Sequence, residues 1–157
     1  YDKAYGAMGD IYINAKNYDK AKQVLNIAIT VNPNYSKGHA NLGIIYVEEK
    51  DWEAAVTSLQ MAVALNEQDA MSFFRLASAQ NSTGNCEEAK IAARNSTELK
   101  NRFGGAWYEL GIAEWCSGRG NKTASLNAFE KARGDRTWRT MAEYEIDKVK
   151  NPQKYEN

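Results

Sequence analysis

Very little in this 157-residue chain breaks a helix: proline occurs only at Pro33 and Pro152. Helices can run freely between those points, because proline is the residue that removes a backbone donor and clashes with the preceding turn. Runs of alternating Val, Ile and Thr are missing, which argues against half-buried strands. Charge of one sign is missing too. Twenty Lys and Arg balance twenty Asp and Glu, so no field draws the chain to nucleic acid or anionic lipid, and neither is expected as a partner. No apolar run approaches the ~20 residues that cross a bilayer, so no membrane insertion is expected. With His39 as the only histidine, neither a histidine triad nor a histidine metal cluster can form, and no cofactor is expected. The chain opens on Tyr1 with no basic-then-apolar leader, and an excised fragment is expected.

What is present repeats. Gly9, Gly43, Ala77 and Gly111 lie 34 residues apart, each preceded by Met8, Leu42, Leu76 or Leu110. Tyr12 and Tyr46 keep the same interval, as do the large rings Tyr5, His39, Phe73 and Trp107. In the second half of each unit Tyr18, Trp52 and Cys86 align, as do Ala21, Ala55 and Ala89, and Leu25 with Leu59. Several independent rows holding one period identify a repeat architecture.

The 34-residue unit, with its W–LG–Y–A–F–A–P outline, resembles the tetratricopeptide repeat over residues 2 to 133. That resemblance implies an all-α fold, a right-handed superhelical solenoid of helix-turn-helix repeats. Its units would be residues 2–35, 36–69, 70–103 and a divergent 104–133, with a C-terminal capping helix and tail in 134–157. Helices are expected at 2–15, 18–31, 36–49, 52–65, 70–83, 86–100, 104–117 and 122–133. Glycine costs about 0.5–1 kcal/mol inside a helix. Its recurrence is explained if Gly9 faces Ala21 and Gly43 faces Ala55, small residues that let two backbones approach while Leu42, Tyr46, Trp52 and Leu59 interlock around them. Burying each such large side chain contributes roughly 1.5–3 kcal/mol, which offsets the glycine.

Two ends differ from the pattern. In the fourth unit Ser125, Phe129 and Ala132 fall in their rows only with two residues inserted in "CSGRGNKT". A last helix is expected at 136–149, N-capped by Asp135, with Trp138, Met141, Ala142, Ile146 and Val149 as its apolar stripe. It would shield the final repeat from water. At the start, Tyr1 aligns with Tyr35, the boundary of the next unit, so further repeats or another domain are expected ahead of it.

Chemistry of other kinds finds little support. His39 reads as a ring filling a packing slot, and Glu48–Glu49 and Glu87–Glu88 as solvated surface. "GRGNKT" lacks the glycines of a phosphate loop and follows a helix, not a strand. Asn81, Asn95 and Asn121 begin glycosylation sequons by pattern alone. Cys86 and Cys116 match no zinc or redox spacing. They come to similar height on antiparallel helices, so a disulfide is geometrically conceivable beside the simpler reading of two buried free thiols. Localisation stays open between cytoplasm and periplasm, with export if the pair is oxidised.

The resemblance implies a concave groove lined by the first helix of each unit. Its inward residues would be Lys3, Asp10, Asn14, Asn41, Ile44, Glu48, Phe74, Arg75, Ser78, Tyr108, Ile112 and Trp115. Of the five positions that grip a carboxylate in the charged form of this groove, Asn41 and Arg75 match, while Gly6, Asp10 and Met71 do not. A polar N-terminal half and an aromatic C-terminal half are therefore expected, with Phe74, Tyr108 and Trp115 as anchors for a partner, or Trp115 folded under the last helix. No nucleophile, base and orienting group converge, so the chain is not expected to be an enzyme. The implied function is a scaffold that binds a protein or peptide segment in its groove, as part of a larger protein or complex. The alternative is an assembly module that self-associates through its uncapped first repeat.

Overall fold

The computed structural model describes residues 1–118 and 121–156. Among them are nine α-helices and no strand: α1 Asp2–Asn14, α2 Tyr18–Val31, α3 Ser36–Glu48, α4 Trp52–Leu65, α5 Ala70–Ser82, α6 Cys86–Leu99, α7 Gly104–Cys116, α8 Lys122–Arg133 and α9 Arg139–Lys150, with a short 3₁₀ turn at Pro152–Lys154. The first eight helices start at the residues read from the sequence. The two inserted residues of the fourth unit fall around Arg119 and Gly120, outside the described residues.

The turns between paired helices share one backbone feature. Lys16, Lys50, Gly84 and Gly118, again 34 apart, all have positive φ. In the first two units the next residue caps the second helix: the Asn17 carboxamide accepts from the Lys20 N–H, and the Asp51 carboxylate accepts from the Ala54 N–H. Side-chain acceptors of this kind satisfy otherwise orphaned donors at a helix start. The reversal is thus local, and it recurs because the sequence recurs.

The rows of small residues have a different partner from the one expected. A Cβ added at Gly9 would meet the Leu25 side chain at 2.6 Å, at Gly43 the Leu59 side chain at 2.5 Å, and at Gly111 the Phe129 ring at 2.5 Å. Ala21 and Ala55 are fully buried, but the residue set against the glycine lies one helical turn further on. In the third unit the same two positions hold Ala77 and Ala93, both fully buried. Where alanine replaces glycine, the residue opposite it is small as well, so the added Cβ has room.

Paired helices pack on each other, and successive units join α2 to α3, α4 to α5 and α6 to α7. The first helices also touch across units, α1 with α3, α3 with α5 and α5 with α7, and no comparable contacts join the second helices among the described residues. A stack that is tighter along one row must curve toward it. The concave side is therefore the row of first helices, which positions the groove.

At the C-terminal end, α9 begins three residues later than expected. Asp135 does not cap it. Its carboxylate instead accepts from the Gly104 N–H at 2.9 Å and the Thr137 N–H at 2.9 Å, fastening the α8–α9 linker to the start of α7. Gly104 and Gly105 admit this, since a Cβ on Gly105 would meet the Phe103 and Trp138 rings at 2.6 and 2.8 Å. Ala142, Ile146 and Val149 are buried, whereas Met141 is 47% exposed and leaves the expected stripe.

Candidate groove on the first helices

The open part of the concave row lies on α1, α3 and α5. A cleft of about 520 Å³ runs between α3 and α5, lined by Lys37, Asn41 and Ile44 on one side and Asp69, Met71 and Arg75 on the other. That volume is within the ~300–1,000 Å³ typical of ligand clefts, so it can take side chains of a partner. Asp69 caps α5, accepting from the N–H groups of Met71 and Ser72 at 3.1 Å each, which fixes the wall carrying Met71 and Arg75.

The charges in this groove are not equivalent. Lys37 is ion-paired with Asp10, and the Asn41 amide donates to the same carboxylate at 2.7 Å. Asp10 is therefore neutralised, and Asn41, only 6% exposed, keeps its carbonyl oxygen as an acceptor. Arg75 is half-buried, and no carboxylate lies within ion-pair distance of it among the described residues. Burial pushes its guanidinium below the usual arginine range, while the fields of Asp69 and Glu48 act the other way. Arginine remains charged under such a shift. Asn14 and Glu48 stand exposed at the far end of their helices.

The C-terminal half corrects the expectation of exposed aromatic anchors. Phe74 packs edge-to-face on Phe103 at 4.9 Å and on Trp138 at 5.8 Å between ring centres. Tyr108 sits between Phe129 and Trp138, at 5.7 and 5.2 Å. Burial, with the nearby Glu145 carboxylate adding to it, pushes the Tyr108 hydroxyl up to about 12. Ile112 and Trp115 pack against the buried cluster of Phe129, Ile146 and Val149. These side chains are half-buried, packed on one another and on the last helix and its linker.

Ser78 is half-buried beside a polar contact in which Asn81 donates to the Glu109 carboxylate at 2.8 Å. Glu109 is 7% exposed, and burial pushes its carboxyl above the ordinary value of 4.5. Sequence reasoning missed this residue, although the period marks it: Asn41, Arg75 and Glu109 are 34 apart. His39 is half-buried with its Nε2 at 2.9 Å from the Pro33 carbonyl oxygen, and the Trp107 Nε1–H donates to the Asn101 carbonyl at 2.7 Å from the same row. Both are packing rings tied to the loop before them. Cys86 and Cys116 are joined as a disulfide, with Cα atoms 5.7 Å apart, and neither is buried. Among the described residues no group of His, Cys, Asp and Glu could hold a metal ion, and no helix is long and apolar enough to cross a membrane.

Residues 2–35 match the family described as tetratricopeptide repeat. No curated protein sequence matches the chain. Among solved structures, YrrB, described as a TPR protein with an unusual peptide-binding site, is similar at 23% identity, covering 92% of this chain and 74% of that one with a TM-score of 0.80. A MamA structure is similar at 21% identity, covering 99% and 96%, with a TM-score of 0.78. The first TPR of Spaghetti (RPAP3), bound to the HSP90 peptide SRMEEVD, is similar at 22% identity, covering 74% and 92%, with a TM-score of 0.70. The first unit thus matches the tetratricopeptide-repeat family, and along its length the chain shares the fold of solved tetratricopeptide-repeat solenoids.

Proposed function

We propose that the chain is an interaction scaffold that docks an extended segment of a partner protein along α1, α3 and α5. The observation that carries this reading is the cleft between α3 and α5, in which Arg75 is half-buried without an ion-pair partner among the described residues. A half-buried guanidinium with no carboxylate at ion-pair distance keeps donors free for a ligand carboxylate. Ile44 and Met71 offer apolar contact beside it, and Asn41 offers an acceptor to a backbone N–H. Asn14, Glu48 and Asp10 would line the approach, with Ser78 at the far edge of the cleft. The segment that fits is extended, with an acidic side chain for Arg75 and an apolar one beside it. The peptide-binding descriptions of YrrB and of the Spaghetti domain support a reading of this class.

The test is selection of binders from a displayed library of random 12-residue peptides, followed by Kd measurement on the parent chain and on Arg75→Ala. Loss of a charge-assisted hydrogen bond is expected to weaken binding ~10-fold or more. Unchanged affinity in the variant, with its fold intact by circular dichroism, would refute the assignment.

A further inference from the structure

Two cavities recur along the edge where the second helices end and the loops to the next unit begin. One, of about 530 Å³, is lined among others by Glu67, Phe73, Asn95 and Glu98. The other, of about 560 Å³, lies one unit on. With the two inserted residues counted, Asn101, Trp107, Lys131 and Gly134 stand there in the same four places. In this second cavity the chain supplies a cation of its own, the Lys131 Nζ lying 3.9 Å from the centre of the Trp107 ring. An ammonium on an aromatic face is held by the ring's quadrupole.

The first cavity keeps the ring and lacks the cation. Asn95 stands where Lys131 would be, and two carboxylates, Glu67 and Glu98, replace the neutral Asn101 and Gly134. Both are exposed, and neither is in an ion pair among the described residues. Lys100, beside Leu99 in the chain, is turned to the Phe103 ring, 5.3 Å from its centre. Exposed acids alone would say little, since charged side chains are ordinary surface. The comparison between units says more. One period earlier the same places hold Pro33, His39, Met61 and Ala64, with no acid, and the His39 ring is tied to the Pro33 carbonyl. Ring, acid pair and open volume come together in the third unit.

We propose that this cavity takes a lysine side chain of a partner protein, its ammonium against the Phe73 ring with Glu67 and Glu98 as counter-charges. The apolar walls, Val63, Ala64 and Leu99, suit the methylene stem of that side chain. A metal ion has no use for such walls, and no group of acids among the described residues could hold one. The cavity shares no lining residue with the α3–α5 cleft, so the site stands independently of the groove.

The test titrates the isotopically labelled chain with the blocked tripeptide acetyl-Gly-Lys-Gly-amide, to ~10 mM at fixed ionic strength, beside the same tripeptide carrying norleucine. Saturable amide shifts at Glu67, Phe73, Asn95 and Glu98 are expected with lysine and not with norleucine. Glu67→Gln combined with Glu98→Gln should weaken the binding ~5-fold or more without changing Tm, since both side chains are exposed. Asn95→Lys, which gives the site a lysine of its own, should abolish it, and Arg75→Ala should leave it unchanged. Four results would overturn the proposal: no saturable shift at these positions, equal shifts with norleucine, a double variant that binds as the parent does, or binding lost with Arg75→Ala. The last would return the lysine to the groove.

Discussion

At the scale of single residues, Gly43 shows how the sequence and the packing meet. A Cβ there would press on Leu59 at 2.5 Å. Gly43→Ala gains about 1 kcal/mol of helix propensity but overpacks a filled site, at a cost of about 1–3 kcal/mol. A net loss is expected by chemical denaturation. In a Leu59→Ala background the sign should reverse, because the obstacle is gone and only the propensity gain remains. Glu109 offers a second test. Its folded pKa is raised by burial, so the folded chain binds its proton more tightly than the unfolded chain does, and stability falls as pH rises above about 4.5. Glu109→Gln should therefore flatten the stability profile between pH 4 and pH 7, with a growing advantage over the parent toward pH 7. The period was enough to find the glycines and the row holding Glu109. It was not enough to say which residue opposes a glycine, since alignment orders positions along the chain and leaves the phase of one helix against another open.

At the scale of helices, the first eight starts were legible because each coincides with a repeated turn. The last helix follows a shortened linker, "RGDRT", so no repeated turn marks its start. Asp135 looks like an N-cap in isolation, yet Gly104 offers it a backbone donor 31 residues away. The same blind spot made Tyr108 look like an open anchor and left Trp115 undecided between an anchor and a ring folded under the last helix. The sequence carried their identity but not the position of α9 over them. If α9 closes the core, Val149→Ala should cost about 1–3 kcal/mol, and Ile146→Ala about 2–5 kcal/mol. Met141→Ala, on the exposed side, should stay within about 0.5 kcal/mol. Thermal or urea denaturation of the three variants separates these cases. Equal effects would mean that α9 is not docked as described.

At the scale of the whole molecule, one covalent link and one open trough define what the solenoid can do. The Cys86–Cys116 disulfide joins α6 to the end of α7, closing a separation of 30 residues. Titration of the denatured, unreduced chain should find no free thiol, and Cys86→Ala with Cys116→Ala should lower stability by about 2–4 kcal/mol. Spacing alone could not choose between paired and free cysteines, because the choice depends on how two helices from successive units face each other. The trough itself was half legible. Asn41 and Arg75 stand on the α3–α5 cleft, while the aromatic half is partly covered by α9 and its linker. The deciding measurement is a titration of the isotopically labelled chain with a library-selected peptide, followed by backbone amide chemical shifts. Shifts concentrated at Asn41, Ile44, Met71 and Arg75 are expected, with α9 and the second helices quiet. Shifts centred on α7 to α9, or on the outer row of helices, would show that the partner does not lie in the trough.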